Sequence, residues 1–464
     1  MAKKFVLLYT VMLVVAACFP LAALAQTRTL RIVTYNIEAD VSAWMGPLPG
    51  LIAPPNDTNN VRAGGVLEGI GEEIIGNDPA QPLDILALEE TTTNSLTVTP
   101  IVNGLDSFYG VAGMYSNSAY QATQFGGQTN NGNGNGPNAL VYNTKTVQLL
   151  ASVPVNPPGG VGNLGSSSGE YREVMRYEFA PAGVMPTAAN EFYVYVSHYK
   201  ASSGTANEND RLGEAKIIRN DEANNLPATA RVLYVGDYNM DDSGEPGYQT
   251  ILSSTSPNGI HQGQGIDPLN PTDNQSINWS SYATDTNILV MLTEHSYDLE
   301  YRDDLQVMTT NVYYGAPGGL TFVTGTFHAF GNNGSIGYYS RVNASTNTAL
   351  NTDLAPGSTI SASQLYLDLT DASDHLPVVA DYTIPLPTPA ITSFNLVGTN
   401  LVFGVANCVT GGTYTVLMST NLSFPPTNWT VLSTNVANSG SLVFTATNAA
   451  NLDSPGRFYL LQQQ

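Results

Sequence analysis

The sequence predicts an α/β layered body followed by a small all-β module, and three observations carry that expectation. Through residues 26–383, apolar runs of strand length alternate with polar loops, and a helical stretch interrupts them. Some of those strands are apolar on both faces, as in Ile85-Leu86-Ala87-Leu88, which implies sheets covered on both sides. From Leu386 to Gln464 the chain is rich in Thr, Asn, Ser and Val, with Asp453 its one acid and Arg457 its one base.

Taken in order, residues 1–25 read as an export signal. Lys3 and Lys4 open it, Phe5–Ala17 is an almost unbroken apolar stretch, and Ala23-Leu24-Ala25 supplies a small-x-small cleavage site. A rival cut at Val15-Ala16-Ala17-Cys18 resembles a lipoprotein box, but Phe19, Leu21 and Leu24 keep the following residues apolar. The expected mature protein is therefore secreted, periplasmic or at the cell surface. No later segment is long and apolar enough to span a bilayer. Outside the signal only Cys408 remains, so an intramolecular disulfide is excluded and stability must come from core burial.

In the body, Leu30–Ile37, Asp84–Glu90, Phe192–Tyr199 and Arg231–Asn239 read as strands. Glu208–Asn225 reads as a helix, with Leu212, Ala215 and Ile218 at near-helical spacing and Pro227 after its end. Gly126–Pro137 is a surface loop by composition. Pro385-Leu386-Pro387-Thr388-Pro389 marks a stiff linker, spanning 384–389, between the body and a module at 390–464. Alternating runs at Thr413–Met418 and Ser441–Thr447 make that module β.

The chain has 16 Lys+Arg against 38 Asp+Glu, a net charge of −22. That balance opposes non-specific gripping of nucleic acid and suits a site that collects divalent cations.

Polar residues cluster where apolar strands end. Asn36 closes the first strand; Glu89 and Glu90 close the second on opposite faces. His198 ends the third. Asp237 and Asn239, two apart and pointing the same way, end the fourth after Gly236. Arg302-Asp303-Asp304 precedes another apolar run, and Asp374-His375 precedes Leu376-Pro377 and a further strand. Each alone has an ordinary explanation as a turn former, a solvated ion pair or a polar strand end.

In order they resemble the endonuclease/exonuclease/phosphatase superfamily, the DNase I-like metal-dependent phosphoesterases. The resemblance rests on Thr34-Tyr35-Asn36, Leu88-Glu89-Glu90, Ser197-His198-Tyr199-Lys200, Gly236-Asp237-Tyr238-Asn239, Arg302-Asp303-Asp304 and Ser373-Asp374-His375-Leu376-Pro377, spanning residues 30–382. It implies a two-layer β-sandwich flanked by helices, a four-layer body with the motifs at one rim.

Three departures stand out. Glu89 replaces the family's usual Gln and adds a charge. Asp303 fills the usually apolar middle of the Arg-x-Asp motif, so spacing selects Asp304 while Asp303 stays open. His328 and the Gly/Asn-rich loop after it form an insertion; with His261 and His295 it is expected to be structural.

The resemblance also implies roles. Glu90 with Asn36 would hold Mg²⁺, with Mn²⁺ or Ca²⁺ as alternatives, and Asp374 would complete that site or hold a second ion. His375 would take the proton of the attacking water, with Asp304 holding its tautomer. Asp237 and Asn239 would position water, leaving group and phosphoryl oxygens, and His198 would offset developing charge or protonate the leaving group. Arg172, Arg176, Lys200 and Arg211 are the cations expected to touch the substrate phosphate.

The leading expectation is a secreted phosphodiesterase, most simply an extracellular nuclease. A phosphomonoesterase or a sphingomyelinase-like lipid phosphodiesterase would use the same core. A non-catalytic surface or adhesion protein keeping the fold is the rival from another class. The expected protein is a monomer whose C-terminal module binds a cell surface or matrix.

Overall fold

The structure, a computed structural model, describes residues 26–38, 62–76, 78–91, 94–119, 137–155, 174–269, 289–293, 299–447, 449 and 457–463. The export signal, Arg172, His295 and nearly all of the Gly126–Pro137 loop lie outside these residues.

The body begins with β1 (Thr27–Asn36), α1 (Arg62–Gly71), β2 (Ile85–Glu89), α2 (Thr99–Phe108), β3 (Tyr115–Asn117), β4 (Ala139–Asn143), β5 (Val147–Pro154) and β6 (Met175–Pro181). Next come β7 (Phe192–His198), α3 (Thr205–Asn225), β8 (Val232–Asp237), α4 (Pro246–Leu252), β9 (Gly265–Ile266) and β10 (Asp304–Thr309). It closes with α5 (Thr310–Tyr313), β11 (Thr321–Phe322), β12 (His328–Ala329), α6 (Ala349–Asp353), α7 (Ala362–Ala372) and β13 (Val378–Pro385).

One sheet has the order β11-β13-β1-β2-β4-β3, with β12 also paired to β13; the other runs β5-β6-β7-β8-β10-β9. Alternation decides what each face buries. Leu30, Ile32, Ile85, Ala87 and Leu140 of the first sheet meet Tyr177, Phe192, Val194, Leu233 and Val235 of the second. Val33, Tyr35, Leu86 and Leu88 turn the other way, under Val66 and Ile70 of α1 and Leu365 and Leu369 of α7. On the second sheet Tyr193, Tyr195, Val232 and Tyr234 lie under Ala215 and Ile218 of α3 and Tyr248 and Ile251 of α4. The result is helix, sheet, sheet, helix. Strands apolar on both faces are apolar because both faces are covered.

Register explains the rim. β1 runs parallel to β2 and pairs Asn36 with Glu89; β7 runs parallel to β8 and pairs His198 with Asp237. β10 runs antiparallel to β8 and begins at Asp304, opposite Asp237; β13 runs antiparallel to β1 and pairs Val378 with Thr34. The parallel strands therefore finish, and the antiparallel ones start, at one edge.

Helix α3 begins a turn earlier than the spacing predicts, after Gly204. The first part of the expected linker is not free: β13 runs through Ile384 and Pro385, paired with Arg28 and Thr27, and the Leu386 N–H donates to Gln26 O at 2.7 Å.

Beyond it lie β14 (Ala390–Val397), β15 (Asn400–Ala406), β16 (Thr413–Ser419), β17 (Thr430–Val436), β18 (Ser441–Ala446) and β19 (Phe458–Gln463). They form two three-stranded sheets, β14-β15-β18 and β17-β16-β19. Phe403, Val405, Tyr414, Val416 and Phe444 fill the space between them. Among the described residues no helix is long and apolar enough to cross a membrane.

Candidate functional site

At the shared edge Asp237 is the point of convergence. Its Oδ2 accepts from Asn36 Nδ2 at 2.9 Å and lies 3.4 Å from His198 Nε2 and 3.8 Å from His375 Nε2. Its Oδ1 accepts from the Asn239 N–H at 2.9 Å, and Asn239 Nδ2 donates to Tyr199 O at 3.2 Å. Gly236 makes this possible. It has φ 134°, and a Cβ there would stand 1.9 Å from Ser197 O on the neighbouring strand. The strand ends carrying His198 and Asp237 can approach only with glycine at this position.

The Asp-His pairing follows from three anchors. Ser373 Oγ donates to Asn36 O at 2.7 Å and accepts from the His375 N–H at 3.0 Å, tying the motif to the end of β1. The Leu376 N–H donates to Thr293 O at 2.7 Å. Thr293 Oγ1 accepts from the Asp304 N–H at 3.1 Å. His375 Nδ1 thereby meets Asp304 Oδ2 at 2.8 Å, both side chains buried. The pairing falls to Asp304; Asp303 uses its carbonyl to accept from the Tyr238 N–H at 2.7 Å.

Burial works against a charged His375, but Asp304, then Asp374 and Asp237, overcome it and lift the imidazole well above its ordinary range. Asp374 Oδ1 lies 3.6 Å from His375 Nε2.

A compact donor group forms from Glu90, His198 and Asp237, whose ligand atoms lie within 4.8 Å of one another. His198 Nε2 is 3.5 Å from Glu90 Oε1. Glu90 holds φ 53°, a conformation that turns its side chain off the regular strand alternation. Hard oxygen donors beside an imidazole suit a divalent cation.

Some expectations change. Asn36 and Asp374 stand at the rim, yet the donor group joins Glu90 to His198 and Asp237 instead; Asn36 donates to Asp237 while its Oδ1 accepts from the Glu38 N–H at 3.0 Å. Glu89 is buried at the end of β2. Burial, then Asp304 and Asp237, push its carboxyl well above the carboxylate range, and Thr34 Oγ1 donates to it at 3.1 Å.

Arg211 is corrected outright. Its side chain is 0% exposed and its guanidinium donates to both Glu245 oxygens at 2.8 and 2.7 Å and to Lys200 O and Ser202 O at 2.9 Å, so it has nothing left for a phosphate. It bolts the loop after His198 to the loop after Asp237. Arg176 pairs with Asp221 on α3. Lys200 remains beside the rim, its Nζ donating to Ala201 O at 3.0 Å. His328 sits away from the rim against Glu73, and His261 Nδ1 lies 2.9 Å from Thr255 Oγ1.

Sequence reading missed Thr293 and Ser373 as the pins that set the Asp304–His375 geometry. Ser373 lies inside a motif and was within reach; Thr293 sits eleven positions before Asp304 with no local signal.

No family model matches the chain, and no curated protein matches it in sequence. Solved structures do align. The human Nocturnin catalytic domain with bound sulfate is 16% identical, covering 77% of this chain and 97% of that one, with a TM-score of 0.39. A D. rerio TDP2 complexed with single-strand DNA product is 13% identical over 76% of this chain and 98% of that one, TM-score 0.39. An endonuclease/exonuclease/phosphatase from Beutenbergia cavernae is 12% identical over 94% and 100%, TM-score 0.37. The chain's own four-layer body and its motif order at one rim, rather than these distant alignments, make it similar to the endonuclease/exonuclease/phosphatase superfamily.

Proposed function

We propose that this chain is an exported, divalent-cation-dependent phosphodiesterase that uses water as its nucleophile, most simply an extracellular nuclease. The carrying observation is the meeting of Asn36, His198 and His375 on Asp237 Oδ2, with Asp304 behind His375.

The donor set fits a cation, with Glu90, Asp237 and His198 as holders and Asn36 and Asp374 at its margin; Mg²⁺ is the ion we assign. Bound there, such an ion would supply charge neutralisation of the phosphate and orientation of the leaving oxygen. The side chains do the rest. Asp237, fixed by Asn36 and the Asn239 amide, seats the attacking water and takes its proton. His375, charged among its carboxylates and steered by Asp304, donates toward the phosphoryl oxygens as charge grows there. This exchanges the roles expected of the two residues. His198 faces the same space from β7, where its imidazole would help hold the cation. Positioning and electrostatics suffice, and no covalent nucleophile is required.

The test is hydrolysis of an aryl phosphodiester by the mature protein, with Mg²⁺ or Mn²⁺ and with EDTA, followed by DNA, RNA, sphingomyelin and phosphomonoesters. Expected are activity with metal, none in EDTA, and losses of about 10²–10⁴-fold in Asp237→Asn and His375→Gln. Full activity in EDTA, or an unchanged rate in either variant, would sink the reading.

A further inference from the structure

The insertion after β12 is built into the rim. The Phe330 N–H donates to Pro377 O at 2.8 Å, two residues after His375. Residue 299 pairs with the same insertion from the other side: its N–H donates to Ser340 O at 3.0 Å and its carbonyl accepts from the Tyr339 N–H at 3.1 Å. From there the chain runs through Tyr301, whose carbonyl accepts from the Thr293 N–H at 2.8 Å, straight to Asp304. Five residues of extended chain reach at most about 17 Å, so Leu299, the backbone partner of Tyr339, lies no farther than that from Asp304.

The insertion is rigid. Phe330, Ile336 and Val342 are buried in the core. Asn332 Nδ2 donates to Leu289 O and Leu292 O at 2.7 and 3.0 Å, and Asn347 Nδ2 to Gly331 O and Val342 O at 2.9 and 2.8 Å.

On this support sits a tight turn, Gly337–Ser340, closed by the Ser340 N–H donating to Gly337 O at 3.0 Å. Its third residue is Tyr339 at φ 60°, a position that favours glycine or asparagine. A tyrosine held there is strained, and burial does not offset the strain, because the residue is 55% exposed. Its ring packs edge-on against Tyr338, centroids 4.2 Å apart, which fixes it in place. Arg341, also exposed, lies two residues on.

We propose that this turn is a base-stacking subsite: the Tyr339 ring takes an unpaired nucleobase flanking the scissile phosphodiester, and Arg341 meets the adjoining phosphate. Stacking on an aromatic face is short-ranged and tolerant of sequence, so it operates despite the chain's net charge of −22. The inference rests on the phosphodiesterase reading and narrows its substrate to single-stranded nucleic acid.

Tyr339→Gly relieves the positive φ, so a loss of binding there is not a loss of folding; an undiminished melting temperature confirms it. Binding is read as fluorescence anisotropy of a labelled short single-stranded oligonucleotide in EDTA. Catalysis is read as the ratio of kcat/KM for oligonucleotide to that for an aryl phosphodiester. Both fall about tenfold in Tyr339→Gly and persist in Tyr339→Trp. Tyr314→Gly, removing a 69% exposed ring beyond the far end of β10, changes neither. Unchanged binding in Tyr339→Gly overturns the subsite, as does Tyr339-dependent binding of a neutral oligosaccharide in place of the oligonucleotide. Aryl diester hydrolysis without Tyr339-dependent oligonucleotide binding overturns the subsite and leaves the phosphodiesterase reading standing. Tyr339-dependent binding without any hydrolysis supports the subsite and removes that reading.

Discussion

Asp304 holds the His375 Nδ1 proton with one carboxylate oxygen at 2.8 Å, while its other oxygen has no hydrogen-bond partner among the described residues. An amide at this position keeps the shape but weakens the grip on the imidazole, or inverts it by offering N–H to Nδ1. Asp304→Asn is therefore expected to lower kcat by about 10²–10⁴-fold with little change in melting temperature. The same exchange at Asp303 leaves the hydrogen bond to His375 intact, so steady-state kinetics on the two variants separates the neighbours. Gly236 is sensitive for a different reason. Gly236→Ala drives a methyl toward Ser197 O, 1.9 Å from the ideal Cβ, at a φ of 134° that only glycine tolerates. The strand ends must part, and the expected cost is on the order of 3 kcal/mol, read as a drop in melting temperature together with lost activity.

At the scale of elements, buried ion pairs fasten helices and loops to the sheets. Arg31 on β1 donates to both oxygens of Asp381 on β13 at 2.9 and 3.0 Å, and to Ile70 O and Glu73 O at the end of α1 at 2.7 and 3.0 Å. Glu73 then accepts from His328 Nε2 at 2.8 Å, while His328 Nδ1 donates to Thr326 O at 2.8 Å. Both ring nitrogens face acceptors, which requires the imidazolium. Burial and the Arg31 charge oppose it, but Glu73 and the Thr326 carbonyl prevail and raise His328 to about 8. The sign follows directly. A histidine whose folded value lies above its unfolded value stabilises fully below the unfolded value and loses that contribution as pH rises through the folded one. Thermal stability is thus expected to fall between about pH 6.5 and 8, by about 2 kcal/mol at most for a side chain 24% exposed. His328→Asn should flatten that stretch of the melting-temperature profile. A slope that survives the substitution would place the titration elsewhere.

For the molecule as a whole, legibility tracked the range of the interaction. Strands were readable because alternation and doubly apolar runs are local, and the rim followed once their polar ends were put in order. Arg211 was misread because a buried guanidinium clamped by Glu245 and a solvated one look alike in sequence; only the fold brings residues 34 positions apart into a bidentate pair. The two-residue strands β11 and β12 carry no periodicity and exist by pairing with β13. The strained turn at Tyr339 is legible only as φ. The change of composition past residue 385 leads to the expectation of a separate unit. Among the described residues, the buried clusters of the body reach no farther than Ile384, and the buried cluster of the C-terminal sheets begins at Phe403, with Ile391 and Leu401 packed against it. The two parts meet where the Thr410 N–H donates to Gly183 O at 2.8 Å, close enough that a Cβ on Gly183 would stand 2.4 Å from Thr410 O. A backbone contact of this kind does not by itself make two separate cores cooperative. A chain ending at Pro389 is accordingly expected to fold, to melt within a few degrees of the body's own transition, and to keep its rate on an aryl phosphodiester. Calorimetry of the full chain should show a second transition that the shortened chain lacks. If the shortened chain is insoluble or melts far lower, the C-terminal sheets complete the body rather than append to it.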